Sequence, residues 1–156
     1  MMDFSNLLDE SMIFGALQAD SRHAVLRQLS EALAERSGLD SRIILEAVTL
    51  RERLGSTGVG DGVAIPHARL AGIDAPIGAF ARLVTPVDFE AVDETPCDLV
   101  FMLLAPESEG SAHLKALAQV SRVFRQSGVR DELRSASDVG AMTGLLLGQI
   151  KRGHAA

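Results

Sequence analysis

Leu99-Val100-Phe101-Met102-Leu103-Leu104-Ala105 is the longest uninterrupted apolar run in the chain. A membrane-crossing helix needs about 20 apolar residues, so this run has the length of a strand. Because it is apolar at every position instead of alternating, both faces of that strand must be buried. A strand of this kind sits in the middle of a sheet with helices packed above and below it. The expected fold class is therefore α/β.

The flanking pattern supplies the other layers. Phe4–Leu8 reads as a short first helix and Met12–Leu17 as an apolar strand. Asp20 is placed to cap a helix from Ser21 to about Arg36, with Val25, Leu26, Leu29 and Leu33 on one face and Gly38 closing it. Asp40 opens a second helix that turns Ile43, Ile44, Ala47, Val48 and Leu54 inward and stops at Gly55. Strands are expected over Ile77–Val84 and Asp98–Ala105, joined by a polar connection through Pro86, Asp88 and Asp93–Pro96. Ser111 begins a helix to about Gln126, with Leu114, Leu117, Ala118, Val120, Ser121 and Phe124 inward. A short helix near Arg130–Ser135 and a last one from Asp138 to about Lys151, weakened by Gly144 and Gly148, complete the chain. No repeat or linker interrupts residues 1–156, so the expectation is one domain, a mixed β-sheet flanked by helices on both faces.

Composition narrows the function classes. With 47% hydrophobic and 23% charged residues, a chain of 156 residues is expected to be globular, with a full core. A net charge of −6 and the absence of Trp and Tyr disfavour nucleic acid and anionic membranes as partners. Cys97 is the single cysteine, which excludes an internal disulfide and suits a reducing compartment. No basic amino-terminal signal and no membrane-length segment are seen, so a cytoplasmic location is expected.

Chemistry concentrates between Gly55 and His67. Four glycines, Gly55, Gly58, Gly60 and Gly62, fall within eight positions of Gly55–Gly62. Val63-Ala64-Ile65 then reads as a short buried strand, and Pro66 stiffens the backbone just before His67. The glycines precede a strand, and no Lys-Ser/Thr ending follows them, so this is not a phosphate-binding loop of the nucleotide type. An isolated histidine is more often structural than reactive. Here a flexible approach and a proline brace fix the direction of one imidazole, as presentation of a nucleophile requires. An imidazole is largely neutral near pH 7 and suits phosphoryl transfer.

The stretch from Arg51-Glu52-Arg53 through Gly55-Ser56-Thr57-Gly58-Val59-Gly60-Asp61-Gly62 to Pro66-His67-Ala68 resembles the active-site signature of IIA components of the bacterial phosphoenolpyruvate-dependent phosphotransferase system, mannitol/fructose class. The likeness extends through His113-Leu114 to the last helix. Asp61 departs from the Asn of many relatives, and Ala68-Arg69 stands where Gly-Lys is frequent. The resemblance implies that His67 accepts a phosphoryl group on Nε2 from an HPr-type donor, with Nδ1 protonated and held by a backbone carbonyl. It also implies a supporting role for His113 in the first turn of its helix, where free N–H groups favour an anion. Arg51 reads from the sequence alone as a cation at a helix C-terminus, and by resemblance as a residue orienting His67 or contacting phosphate. Ser56 and Thr57 either donate hydroxyls to phosphoryl oxygens or cap the loop. The Gly-Ser-Thr-Gly-Val-Gly form is similar to the nitrogen-regulatory branch, implying regulatory protein targets. A sugar-transport IIA passing phosphate to a IIB cysteine, and a docking-only module, are the alternatives.

The remaining polar residues are given plainer roles. His23 and His154 are expected to be solvated, the latter in a frayed tail, and no histidine spacing matches a metal site. Asp88, Glu90, Asp93 and Glu94 read as a charged connection. No cofactor is expected. The docking face is expected to surround His67 with apolar residues and carboxylates.

Overall fold

Phe101 and Met102, neighbours on the longest apolar strand, point to opposite layers. In the computed structural model the Phe101 ring lies 6.1 Å from that of Phe124 on one side. On the other, Ser30 Oγ lies 3.9 Å from Met102 Sδ. The strand is β6 (Cys97–Pro106), buried at nine of its ten positions. Phe124 belongs to α3 (Gly110–Arg125) and Ser30 to α1 (Arg22–Ser37). The structure describes residues 7–108 and 110–155, with side chains as far as residue 151.

Around β6 the sheet is ordered β1-β5-β6-β3-β2, with β4 on the same edge of β6 as β3. Its members are β1 (Ile13–Leu17), β2 (Gly58–Gly60), β3 (Val63–Ala64), β4 (His67–Leu70) and β5 (Ile77–Val87). β5 and β6 run antiparallel, whereas β1 is parallel to β5, and β3 and β4 are parallel to β6. The mixed sheet with helices on both faces is thus as expected. The first helical layer is α1 with α2 (Ser41–Leu54), and the second is α3 with α4 (Ser127–Ser135) and α5 (Val139–Ala155).

Several local expectations are corrected. Ser21, not Asp20, caps α1, its Oγ accepting from Ala24 N at 3.1 Å. Asp40 does cap α2, and Gly38 does close α1 with φ of 80°. On α2, Ile44 and Val48 are buried, but Ile43 and Leu54 face solvent. α3 is rotated relative to the expected face: Ala112, Ala116, Gln119, Val120, Val123 and Phe124 are buried, while Leu114 and Ala118 are exposed. β5 runs on to Val87 with irregular pairing past Arg82, absorbing Pro86 beyond the end of β1. The helix expected at Phe4–Leu8 lies outside the described residues except Leu7 and Leu8, which are buried and not helical.

The glycine-rich segment is not only loop. Gly58 and Gly60 pair with Ala64 and Val63 in a hairpin, β2 to β3. Gly58 is required by close approach, since a Cβ there would lie 2.8 Å from the Ala91 Cβ. Asp61 and Gly62 turn the hairpin with φ of 58° and 79°. The turn is tied down from outside by Arg134, which donates to Asp61 O at 2.6 Å and pairs with Asp98 at 2.9 Å.

Candidate functional site

His67 owes its position to an interrupted edge strand. β3 follows β6 with Val63 opposite Leu99 and Ala64 opposite Val100; β4 resumes with His67 opposite Leu103. Between them Ile65 N donates to Thr57 O at 2.9 Å, and Pro66, which has no N–H, accepts from Leu103 N at 2.9 Å. This arrangement leaves the Ile65 carbonyl free to meet the imidazole, and Ile65 O lies 2.7 Å from His67 Nδ1. A carbonyl oxygen can only accept, so Nδ1 carries the proton and the neutral ring has its lone pair on Nε2.

Burial reinforces that state. His67 is 9% exposed. Desolvation holds its pKa below the ordinary imidazole value; the Ile65 carbonyl and Glu52 oppose the shift, and Arg51 adds to it. His113 stands in the first turn of α3 with its ring centroid 5.3 Å from that of His67, tilted by 44°. Its pKa is also lowered, first by burial and then by His67, Arg69 and Arg51. Among the described residues its Nδ1 is buried without a hydrogen-bond partner.

The two histidines open into a depression of about 700 Å³ between the last turns of α2, strand β4 and the start of α3. Arg51 lines it from α2, its Nη1 donating to Gly55 O at 2.9 Å across the helix end. Arg69 and Glu107 line it too, together with Leu50, Leu54 and Leu114, which are 51%, 86% and 67% exposed. The expected apolar surround is present. Among the described lining residues of the depression, two guanidiniums stand with one carboxylate, Glu107.

The structure therefore brings His67, His113 and Arg51 together. It gives Ser56 and Thr57 other partners: Ser56 Oγ donates to Phe89 O, and Thr57 Oγ1 donates to the Glu52 carboxylate, so neither hydroxyl faces the depression. Glu52 is the residue whose role sequence reasoning missed. Its side chain is 4% exposed and takes Thr57 Oγ1 and Arg22 Nη1, the latter at 3.4 Å. The signal was available, since Ile44, Val48 and Glu52 recur every four residues on the inward stripe of α2.

The other candidates lie elsewhere. His23 is exposed on α1, and the backbone of α5 is helical through residue 154, whose side chain lies outside the described ones. Cys97 is buried and its thiol is pushed up to about 12, by desolvation and then by nearby carboxylates, so it offers no nucleophile near neutral pH. No group of three or more His, Cys, Asp or Glu side chains suited to a metal stands among the described residues. Asp93 serves the hairpin, accepting from Asp61 N at 2.9 Å and Thr95 N at 3.1 Å. No helix among the described residues is long and apolar enough to cross a membrane.

A protonated Nδ1 on a carbonyl, a bare Nε2, a second imidazole and guanidiniums beside a helix N-terminus are the chemistry a histidine nucleophile would need to receive an anionic group. Comparison with known proteins bears on the family. The chain is 42% identical over 145 residues to a nitrogen regulatory protein of Bradyrhizobium diazoefficiens, covering 93% of this chain and 95% of that one. It is 45% identical over 123 residues to a nitrogen regulatory protein of Pseudomonas aeruginosa, covering 78% and 80%. The crystal structure of nitrogen regulatory protein IIA-Ntr from Neisseria meningitidis superposes with a TM-score of 0.85 at 36% identity, covering 90% of this chain and 96% of that one. Residues 6–147 match the family described as phosphoenolpyruvate-dependent sugar phosphotransferase system, EIIA 2, and the chain belongs to that family.

Proposed function

We propose that the chain is a IIA phosphocarrier of the nitrogen-regulatory branch, with His67 as the residue that carries the phosphoryl group. The observation that carries this reading is the 2.7 Å contact of Nδ1 with Ile65 O in a desolvated ring, which leaves Nε2 as the nucleophile. In the transfer, the Nε2 lone pair forms the bond to phosphorus as the donor's N–P bond breaks, and the electron pair of that bond returns to the donor's imidazole. His113 and Arg51 stabilise the phosphoryl oxygens as charge shifts between the two nitrogens. The exposed Leu50, Leu54 and Leu114 around the depression suit docking of an HPr-type donor. Such a donor is met in the cytoplasm, where the phosphoryl group is next conveyed to, or withheld from, regulatory protein targets.

The test is label transfer from radioactive phosphoenolpyruvate through enzyme I and an HPr-type carrier. His67→Ala protein takes up no label, and His23→Ala protein takes up as much as wild type; full labelling of the His67→Ala protein would sink the assignment. Adding a purified fructose- or mannitol-type IIB domain tests the branch. Rapid passage of label to its cysteine would place the chain in sugar transport instead of regulation.

A further inference from the structure

We propose that Arg69 is a second phosphoryl-binding cation, which closes on the group carried by His67 from the side opposite Arg51. The inference rests on the reading of His67 as the phosphoryl carrier. Residues two apart in a strand share a face at a spacing of about 7 Å, and His67 and Arg69 stand so on β4. Arg69 is the exposed member of a strand whose other residues are buried, and its side chain lines the same depression as His67 and His113. Its Nη1 lies 3.6 Å from where a Cβ on Gly110 would stand, so the guanidinium reaches over the first residue of α3. Among the described residues it has no ion-pair or hydrogen-bond partner, whereas Arg22, Arg130 and Arg134 are each paired with a carboxylate.

An unpaired guanidinium beside a helix N-terminus and a histidine nucleophile is arranged for a group with three acceptor oxygens. Arginine offers a planar fork of donors that matches phosphate. A phosphoryl group carries close to two negative charges near neutral pH, and Arg51 and Arg69 supply two positive ones. Glu107, the one carboxylate of the described lining, is exposed and can stay hydrated. Arg69 gives and takes no proton. Its contribution is to the charge on the phosphoryl oxygens, both during transfer and while the group rests on Nε2.

The isolated phosphoprotein separates this role from docking of a partner. The probe is the pH titration of the phosphohistidine by 31P NMR, in wild type, Arg69→Gln, Arg69→Lys and Arg53→Gln proteins. Removing a cation from beside a dianion raises the phosphoryl pKa. Arg69→Gln is expected to raise it by roughly half a unit or more and to slow uptake from the donor about tenfold at saturating donor, on the scale of a lost hydrogen bond to a charged group. Arg69→Lys recovers part of both effects. Arg53→Gln, the same loss of charge at a position outside the depression, changes neither. A phosphoryl pKa in the Arg69→Gln protein equal to that of wild type would overturn the proposal, whether or not KM for the donor rises. Failure of the underlying reading is seen separately, as label that persists in His67→Ala protein, and it too would overturn the assignment.

Discussion

A histidine that must receive a phosphoryl group needs an unprotonated nitrogen over the whole working pH range. Both site imidazoles have pKa values lowered by burial, so at neutral pH they are uncharged. Phosphoryl uptake is therefore expected to stay level as pH falls from 8 to the ordinary imidazole value of about 6.5, and to decline only below it, as His67 protonates. A stopped-flow or quench series across pH checks this; a midpoint above the ordinary value would contradict the burial argument. The stability linkage has the same sign. A depressed folded pKa means that the unfolded chain binds the proton more readily, so the contribution is present above about 6.5 and lost as pH falls through the lower folded value. His113→Ala and Arg51→Ala are expected to slow uptake by about 10²–10³ each, with circular dichroism unchanged because neither residue belongs to the core. The Pro66-His67 presentation was legible in the sequence. That a backbone carbonyl holds Nδ1 was legible only by family likeness, and that it belongs to Ile65 was not, since its direction depends on where β3 stops. Ser56 and Thr57 misled because a hydroxyl in a glycine-rich loop looks the same whether it faces a ligand or a neighbouring carboxylate.

At the scale of elements, the β2–β3 hairpin and the last turn of α2 are joined by one buried carboxylate. Glu52 takes Arg22 and the Thr57 hydroxyl, and Thr57 O in turn accepts from Ile65 N, the residue whose own carbonyl holds His67. Glu52→Ala leaves the Thr57 hydroxyl without its acceptor, while a partly exposed Arg22 keeps Phe89 O and Glu90. The expected cost is about 2 kcal/mol, below that of a fully buried pair because Arg22 is screened by water. Urea denaturation measures it, and a loss within a few tenths of a kcal/mol would mean that the hairpin is held by pairing alone. Gly58→Ala probes the same joint sterically, because its Cβ would collide with Ala91. The cost of such overpacking is about 1–3 kcal/mol. Sequence periodicity found every long element here and placed Val120 and Phe124 of α3 inward as they are, but set the first turns of α3 wrongly, taking Leu114 as core. That misreading has a physical cause. Small residues, Ala112 and Ala116, let α3 lie close to the sheet, and the larger Leu114 is released to the rim of the site.

For the molecule as a whole, the site sits at one edge of the sheet and is mechanically remote from the other. His67 lies on β4, which pairs in parallel with the carboxyl-terminal half of β6, whereas β1 closes the opposite edge under α5. The apolar run from Leu99 to Ala105 separates these regions with a core in which every side chain is at most 1% exposed, and such a core does not deform continuously. A phosphoryl group adds about −1.5 to −2 of charge to a protein of net charge −6, and if it is carried on His67, as proposed, that charge enters an open depression that already holds two arginines. Signalling by this protein is thus expected to consist of a change in local charge on an unchanged fold. Amide spectra of the free and phosphorylated protein test this directly. Shifts are expected in residues 47–57, 65–70 and 107–117, with Ile13–Leu17 and Val139–Ile150 unmoved. Shifts of comparable size in β1 and α5 would show that phosphorylation repacks the core, and a partner would then be reading a second conformation. If the shifts stay local, a target that distinguishes the two forms must contact the depression itself. Its preference should then weaken as salt is raised, because the difference it reads is electrostatic.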